Sequence, residues 1–148
     1  MAANHALLPV EIRGRWLVLE ALSVQEILGQ RAWVPVPGAP QNVPGVLAWR
    51  GRAIAVLDLG AITTVAEPLT PGEQRPRAVV AAAGTTTVAI LVDAAREVRE
   101  VGADRLHPPH ATRPRFTLSE VEIDGIPMPI IDLGGLLESV VGPGAEAA

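Results

Sequence analysis

The sequence contains no cysteine, which excludes disulfides, thiolate zinc sites and thiol nucleophiles. Positive charge is also scarce, because twelve Lys and Arg stand against sixteen Asp and Glu, a formal net charge of −4. A phosphate backbone needs clustered positive charge, so nucleic-acid binding is disfavoured. No apolar run approaches the ~20 residues that span a bilayer, and residues 1–9 do not resemble a signal peptide. We therefore expect a soluble, cytoplasmic protein.

Motifs that carry catalysis are missing as well. No serine lies in a Gly-x-Ser-x-Gly elbow, and no phosphate loop or Gly-x-Gly-x-x-Gly is present. A metal site would need its histidines paired with further ligands, and none is close in sequence, so solvated loop histidines are the favoured interpretation. These histidines are His5, His107 and His110. The sequence thus predicts a protein that is not an enzyme and has neither a metal nor another cofactor.

What the sequence does contain is apolar and rich in strand signals. Hydrophobic residues make up 49% of the 148 residues, enough to fill the core of one domain or of two very small packed units. Pairs of β-rich runs flank two-residue turns with glycine, a pattern that predicts hairpins. The pairs are Val10–Arg13 and Trp16–Glu20 about Gly14-Arg15, Ala78–Ala83 and Thr86–Val92 about Gly84-Thr85, and Arg115–Ile123 and Ile126–Ile131 about Asp124-Gly125, with a further β run at Arg52–Leu57.

Helix signals are few and short. Ser23 is placed to cap a helix over Val24–Leu28, and Asp93 is placed to cap one over Ala94–Glu97. A terminal helix is predicted over Gly134–Val141, ended by Gly142-Pro143. Proline removes a ladder donor, so the three proline-rich stretches are predicted to be loops or edges. They are Val34–Gly45, Glu67–Arg77 and Leu106–Arg115, and the tail 142–148 is predicted to be flexible.

The chain also contains an internal repeat. The ten residues from Gly51 to Gly60 align with those from Gly125 to Gly134, 74 residues further on, with four identities. The hairpins at Gly14 and Gly84 also align, 70 residues apart. Two like units follow, approximately 7–66 and 78–141, joined by the proline-rich loop 67–77 within a single domain over 1–148. Neither unit is large enough for its own core, so we expect two small antiparallel barrels that share one.

Three sets of residues invite a functional interpretation. Asp58 and Asp132 end equivalent strands, and a structural role as caps is favoured over a catalytic pair. Arg50 can pair with Glu26 across a groove between the halves, or it can be an exposed pair of little energetic weight, and both interpretations stay open. Apolar residues in and beside the first proline-rich loop predict a docking surface, with two tryptophans as its anchors. These anchors are Trp33 and Trp49.

Together these segments resemble the CheW family of bacterial chemotaxis coupling proteins, to which the regulatory domain of the CheA kinase is related. The resemblance covers about Leu7 to Glu138. It rests on Val24-Gln-Glu-Ile27, the proline-rich Val34–Pro40, Pro44-Gly-Val-Leu-Ala-Trp-Arg-Gly51 and Ala55-Val-Leu-Asp-Leu59, and in the second half on Ile90-Leu-Val-Asp93, Glu97-Val98 and Ile130-Ile-Asp-Leu133.

The resemblance implies an all-β fold of two packed, intertwined, five-stranded SH3-like barrels with short helices. It implies an adaptor that couples the cytoplasmic tips of methyl-accepting chemoreceptors to a CheA-like histidine kinase in signalling arrays. Receptor-binding residues carried over by motif are Val24, Glu26, Leu47, Trp49 and Arg50. Kinase-binding residues carried over in the same way are Trp33, Val34 and Gly45.

The sequence also departs from the family pattern. Ala48-Trp49 replaces the usual Asn-Leu, Ala55 replaces a proline, and Leu106–Gly125 is shortened and lacks a glycine-rich turn. These differences support an alternative, a divergent coupler that binds receptors but engages the kinase weakly or not at all and tunes array assembly. A third hypothesis, from another class, is a small β-barrel enzyme or ligand-binding domain with a convergent polar pocket.

Overall fold

The computed structural model describes residues 4–141 and is built mostly from strands. The strands are β1 (Asn4–Ile12), β2 (Arg15–Glu20), β3 (Val24–Leu28), β4 (Val34–Pro35), β5 (Gly45–Trp49), β6 (Arg52–Leu57), β7 (Arg77–Ala83), β8 (Thr86–Val92), β9 (Ala94–Ala95), β10 (Arg99–Gly102), β11 (Thr117–Ile123) and β12 (Ile126–Ile131). The α-helices are α1 (Leu59–Ile62) and α2 (Leu133–Val141), and single 3₁₀ turns lie at Ala21–Ser23 and Ala103–Arg105.

The predicted hairpins are present, and glycine explains their turns. Asp124 and Gly125 have φ of 51° and 79°, the left-handed pair of a type I′ turn. The first turn is Arg13-Gly14 rather than the predicted Gly14-Arg15, because the left-handed pair, at φ of 48° and 80°, begins one residue earlier. The β5–β6 hairpin turns in the same way at Arg50-Gly51.

The strands form two sheets. Sheet I contains β1, β2 and β9 to β12 in the order β10-β1-β2-β12-β11, with two-residue β9 beside β1. Sheet II contains β3 to β8 in the order β3-β7-β8-β6-β5-β4. Each sheet therefore has five longer strands and one strand of two residues, which confirms the predicted all-β fold of two five-stranded units.

The repeats exchange hairpins between the sheets. The first hairpin, β1–β2, lies in sheet I, where β2 runs parallel to β12, the late strand of the second repeat. The hairpin β7–β8 of the second repeat lies in sheet II, where β8 runs parallel to β6. Each sheet thus depends on residues that are distant in sequence.

Three groups of buried side chains hold this arrangement together. The largest group draws on both sheets and on the last helix, with Leu19, Val79, Ile90, Leu57 and Leu136 among its members. A second group fills sheet II and a third fills sheet I. One group of buried side chains is therefore shared between the two sheets, each of which contains strands from both repeats.

Two predicted helices are wrong. Residues Val24–Leu28 form strand β3, because pairing with β7 satisfies their backbone groups, and Ser23 ends a 3₁₀ turn. Ala94–Glu97 begins with the two-residue strand β9, paired with β1. The terminal helix is confirmed, beginning at Leu133, and its predicted stop at Gly142-Pro143 lies outside the described residues, as does the tail 142–148.

The proline-rich stretches are loops and edges, as predicted. Val34–Pro35 forms β4 at the edge of sheet II, and Gly45 and Arg77 already belong to the strands that follow their loops. In the third stretch, His107 forms a single bridge with Glu120 of β11. Within residues 4–141, no helix has the length and apolar character to cross a membrane.

Candidate docking site

Glu26 connects two ends of sheet II. Its carboxylate, on β3, accepts a hydrogen bond from the indole Nε1 of Trp49 at 3.0 Å and from Nη2 of Arg50 at 3.2 Å. β3 lies at one end of the ladder and β5 lies next to the other, so these contacts make the sheet curl towards closure. The predicted pair of Arg50 and Glu26 therefore exists, but it joins β3 to the β5–β6 turn within one sheet and does not cross between the sheets.

Trp49 connects this site to the core of sheet II. Its side chain is only 9% exposed and packs in the core group of sheet II. The guanidinium groups of Arg50 and Arg52 lie 4.9 and 5.4 Å from its ring centroid, a distance at which a cation is attracted to the ring face. Because the ring is covered in this way, the prediction of Trp49 as an exposed anchor is wrong.

Of the other residues expected to contact a receptor, Leu47 is fully buried in the same core group as Trp49, and Val24 is partly buried against the core between the sheets. Glu26 and Arg50 remain accessible, and the Arg50 side chain is 68% exposed. Sequence reasoning missed two exposed apolar residues close in sequence to Glu26, Leu22 and Ile27. Leu22 lies in the 3₁₀ turn before β3, and Ile27 lies in β3, an edge strand of sheet II that was predicted as a helix.

Trp33 and Gly45 fit one against the other. A Cβ built on Gly45 would lie 2.6 Å from Cε3 of Trp33, closer than real carbon atoms approach, and would also meet the carbonyl of Val34. Trp33 is 5% exposed, and its Nε1 donates to the carbonyl of Glu73 at 2.5 Å. Trp33 is therefore a core residue and not the exposed anchor that we expected, whereas its neighbour Val34 is 63% exposed.

A cavity of about 350 Å³ opens beside Trp33. Its lining comes from the first two proline-rich stretches and is almost wholly apolar. Two walls, one containing Pro35 and Pro44 and the other containing Pro68 and Pro71, face each other across it. The sequence predicts both stretches as loops. Whether the two loops lie close together depends on tertiary structure, so the cavity between them could not be predicted from the sequence.

The second wall is held by a charged cluster. Nη2 of Arg75 lies 2.9 Å from Glu73, and Nη1 lies 2.9 Å from Asp93 at the end of β8. Asp93 also accepts a hydrogen bond from the backbone N–H of Arg13 at 2.6 Å. The Arg75 side chain is 5% exposed, and its two ion pairs offset part of the loss of its hydration, while its buried Nε has no hydrogen-bond partner among the described residues. Sequence reasoning missed this cluster.

The pKa of the Glu73 carboxyl lies below its ordinary value. Partial burial raises the pKa, but the backbone N–H and hydroxyl of Thr70 and the charges of Arg75 and Arg13 outweigh that effect. Glu73 therefore stays ionised and keeps its ion pairs with Arg75 and Arg13.

The two repeated aspartates cap helices, as predicted. Asp58 accepts hydrogen bonds from the N–H of Ala61 at 3.2 Å and of Leu69 at 2.8 Å, and Asp132 accepts one from Gly135 at 3.0 Å. Burial raises the pKa of Asp58, while its two backbone hydrogen bonds act in the opposite direction.

The predicted solvated histidines are confirmed for the third proline-rich loop. His107 and His110 are exposed, and the ring of His110 pairs with Glu120. His5 is half-buried within β1, which the loop prediction did not anticipate. Residues 4–141 contain no group of three or more His, Asp and Glu side chains arranged to hold a metal ion.

A protein-family model described as "CheW-like domain" matches residues 6–141. The chain belongs to the CheW-like domain family. Among solved structures, it is similar to the crystal structure of the scaffolding protein TtCheW from Thermoanaerobacter tengcongensis, with a TM-score of 0.77 and 20% sequence identity over 92% of this chain and 94% of that chain. No curated protein sequence gives a significant match.

Within this CheW-like domain, the exposed residues Arg50, Glu26 and Val34 all belong to sheet II or its loops. Trp33, Gly45, Leu47 and Trp49 are buried in or next to the same sheet, where Trp49 contacts Glu26 and Arg50. The arrangement offers exposed side chains on a rigid support and is suited to binding another protein.

Proposed function

We propose that this CheW-like protein is a cytoplasmic, non-enzymatic adaptor that couples chemoreceptor signalling tips to a CheA-like histidine kinase in chemotaxis arrays. The family match over residues 6–141, nearly the whole chain, is the observation that carries this proposal. The fold shared with a protein described as a scaffolding protein supports it. The mechanism needs no cofactor, because an adaptor couples the states of two partners by holding both in one geometry.

Receptor binding is assigned to the surface formed by Glu26 and Arg50 next to Trp49. Arg50 presents an exposed guanidinium whose one short contact is with Glu26, so it has donors left for a carboxylate on the receptor. Leu47 and Trp49 belong to β5, which leads into the β5–β6 turn, and Val24 begins β3, the strand that carries Glu26. Leu47, Trp49 and Val24 therefore contribute to receptor binding mainly by support.

Kinase binding is assigned to the surface around Val34. This residue lies on an edge strand and is exposed, whereas Trp33 and Gly45 form the packed base of that strand. An exposed apolar residue on a rigid edge is suited to the dry centre of an interface.

Pull-down with a receptor cytoplasmic tip and with the kinase regulatory domain tests both assignments. Arg50→Glu is expected to weaken receptor binding at least tenfold, and the matched control is Arg31→Glu, which reverses another exposed arginine. Val34→Asp is expected to weaken kinase binding, with the control Leu118→Asp on the exposed side of sheet I. Circular dichroism checks that each variant is folded.

The outcomes separate the candidate functions. Binding of both partners and activation of the kinase in a reconstituted mixture support the coupler. Receptor binding without kinase activation supports the divergent coupler that the changes at Ala48 and Trp49 suggest. Binding of neither partner overturns the proposal.

A further inference from the structure

The β5–β6 hairpin carries two arginines beside one tryptophan. Trp49 and Arg52 flank the turn and lie directly opposite each other, so their side chains are on the same face of the hairpin. The guanidinium carbons of Arg52 and Arg50 lie 5.4 and 4.9 Å from the centroid of the Trp49 ring. Because the ring itself is buried, both cations rest against a side chain whose position is fixed.

The two arginines differ in their acidic partners. Nη2 of Arg50 lies 3.2 Å from Oε1 of Glu26, and the same oxygen accepts the indole N–H of Trp49. Arg52 is exposed and forms no ion pair with any carboxylate of residues 4–141. Glu26 therefore balances one of two positive charges, and this surface is positive although the chain has a formal net charge of −4.

The internal repeat shows that the hairpin itself does not need these residues. The equivalent hairpin lies 74 positions further on and forms the same type of turn without a tryptophan or an arginine. In place of Trp49, Arg50 and Arg52 it has Ile123, Asp124 and Ile126. The aromatic ring and the second arginine are thus features of sheet II alone, and forming the turn does not account for them.

An arginine held in this way is prepared for binding a carboxylate. A guanidinium group has five N–H donors in a planar fork that matches the two oxygens of a carboxylate. A free arginine side chain loses rotamer freedom when it binds, but Arg52 is already restricted by its contact with Trp49, so less entropy is lost. The positive charge of the surface favours an acidic partner over a basic one.

We propose that Arg52 is a second receptor-contacting arginine, positioned by Trp49, and that Arg50 and Arg52 together bind an acidic group of the receptor tip. The inference rests on the proposed function, because it takes the partner at this surface to be the receptor. Arg50 keeps its contact with Glu26, and Arg52 supplies the donors that the chain itself leaves unpaired with a carboxylate. Trp49 is a positioning residue that acts through Arg52.

Titration of the receptor cytoplasmic tip with variants of the full chain tests the role of Arg52. Arg52→Gln is expected to weaken binding about fivefold at low ionic strength and to make binding less dependent on salt. The matched control is Arg15→Gln, because Arg15 is an exposed arginine at the same position of the first hairpin, opposite Ile12 instead of a tryptophan. Equal binding by the two variants would overturn the proposal and leave the coupler function standing.

The positioning role of Trp49 is tested by repeating the Arg52→Gln substitution in two further backgrounds. Trp49→Phe keeps an aromatic ring beside Arg52, so the loss caused by Arg52→Gln is expected to persist there. Trp49→Leu removes the ring, and the same loss is expected to fall below about twofold. An undiminished loss in the leucine background would show that Trp49 does not position Arg52. Circular dichroism checks that each variant is folded.

A peptide of four consecutive glutamates separates this proposal from the proposed function. Amide NMR of the full chain is expected to show shifts at the indole N–H of Trp49 and the side-chain Nε–H of Arg52, and the same peptide made of glutamine is expected to cause none. Failure of the receptor tip to bind the parent chain overturns the proposed function, whereas the glutamate peptide still reports on the two arginines. Shifts absent from both residues, or equal for the two peptides, would overturn the acidic site whether or not the tip binds.

Discussion

Arg50 and Asp124 occupy the same position in two equivalent hairpins, and their charges are opposite. Each is the first residue of a type I′ turn, at φ of 49° and 51°, and each is followed by glycine. Arg50 pairs with Glu26 on β3, and Asp124 pairs with Arg99 on β10, the strand at the far end of its own sheet. In each sheet an ion pair thus connects a hairpin turn to the strand at the far end of that sheet, and the signs of the two partners are reversed between the sheets.

Replacing Arg50 by asparagine is expected to separate folding from binding. Asparagine before glycine is the favoured type I′ pair, whereas an exposed ion pair contributes only about 0–1 kcal/mol. The free energy of unfolding, measured with urea, is therefore expected to stay within about 1 kcal/mol of the parent. Under the proposed function, receptor binding falls. A large loss of stability would show that Arg50 has a structural role.

Gly45→Ala is expected to destabilise the protein by about 1–3 kcal/mol, as overpacking in cores does. The added Cβ meets the ring of Trp33, which is fixed by its hydrogen bond to the carbonyl of Glu73. The matched control is Gly29→Ala, because a Cβ there meets only the flexible end of Arg77 at 3.8 Å. Urea unfolding of both variants measures the difference, and equal stabilities would contradict the packing argument.

Replacing each of the two capping aspartates by alanine is expected to lower the free energy of unfolding by a different amount. Asp132→Ala removes one hydrogen bond to a helix N–H and is expected to cost about 1 kcal/mol. Asp58→Ala removes two and leaves the N–H of Leu69 without its acceptor, so about 2–3 kcal/mol is expected. Thermal or urea unfolding of the two variants provides the comparison. A larger cost at Asp132 would be unexplained by these contacts.

Acid is expected to weaken the segment that carries Glu73. Its pKa is lowered in the folded protein, so its stabilising contribution is present above the ordinary value of 4.5 and is lost as pH falls through the lower, folded value. Glu73→Gln is therefore expected to reduce the loss of stability on acidification, unlike the control Glu67→Gln at an exposed position. Asp58, with a raised pKa, acts in the opposite sense, since its protonation on acidification favours the folded state.

Unfolding curves recorded above and below pH 4.5 measure this effect, with the slope against pH as the readout. Identical slopes for the Glu73→Gln variant and the parent would mean that the cluster around Arg75 does not hold the segment.

Local signals allowed much of the fold to be predicted. The Asp124-Gly125 turn and the alternating strands beside it are specified by neighbouring residues, so the hairpin could be read from the sequence. Val24, Ile27 and Leu28 have helical spacing, and the prediction of a helix was wrong because pairing with β7 outweighs that local pattern.

The candidate site was harder to predict. Trp33 and Trp49 were expected to be exposed because they lie in and beside a proline-rich loop, but each donates its indole N–H to a residue distant in sequence and is buried. Arg75 and Asp93 meet only because the chain crosses between repeats. Sequence reasoning identified the segments that contain the site, while the exposure of each side chain depended on contacts that no local pattern encodes.

The exchange of hairpins has a consequence for synthesis on the ribosome. Sheet II is complete once β8 has emerged, whereas the first hairpin must wait for β12, more than a hundred residues after it, before sheet I can form. During translation, Leu7 and Val18 of this hairpin therefore stay exposed for most of the chain's elongation, because the other buried residues of their core group belong to β10, β11 and β12. Nascent chains stalled after β8 are expected to be bound by chaperones through this hairpin, and release should follow the emergence of β12.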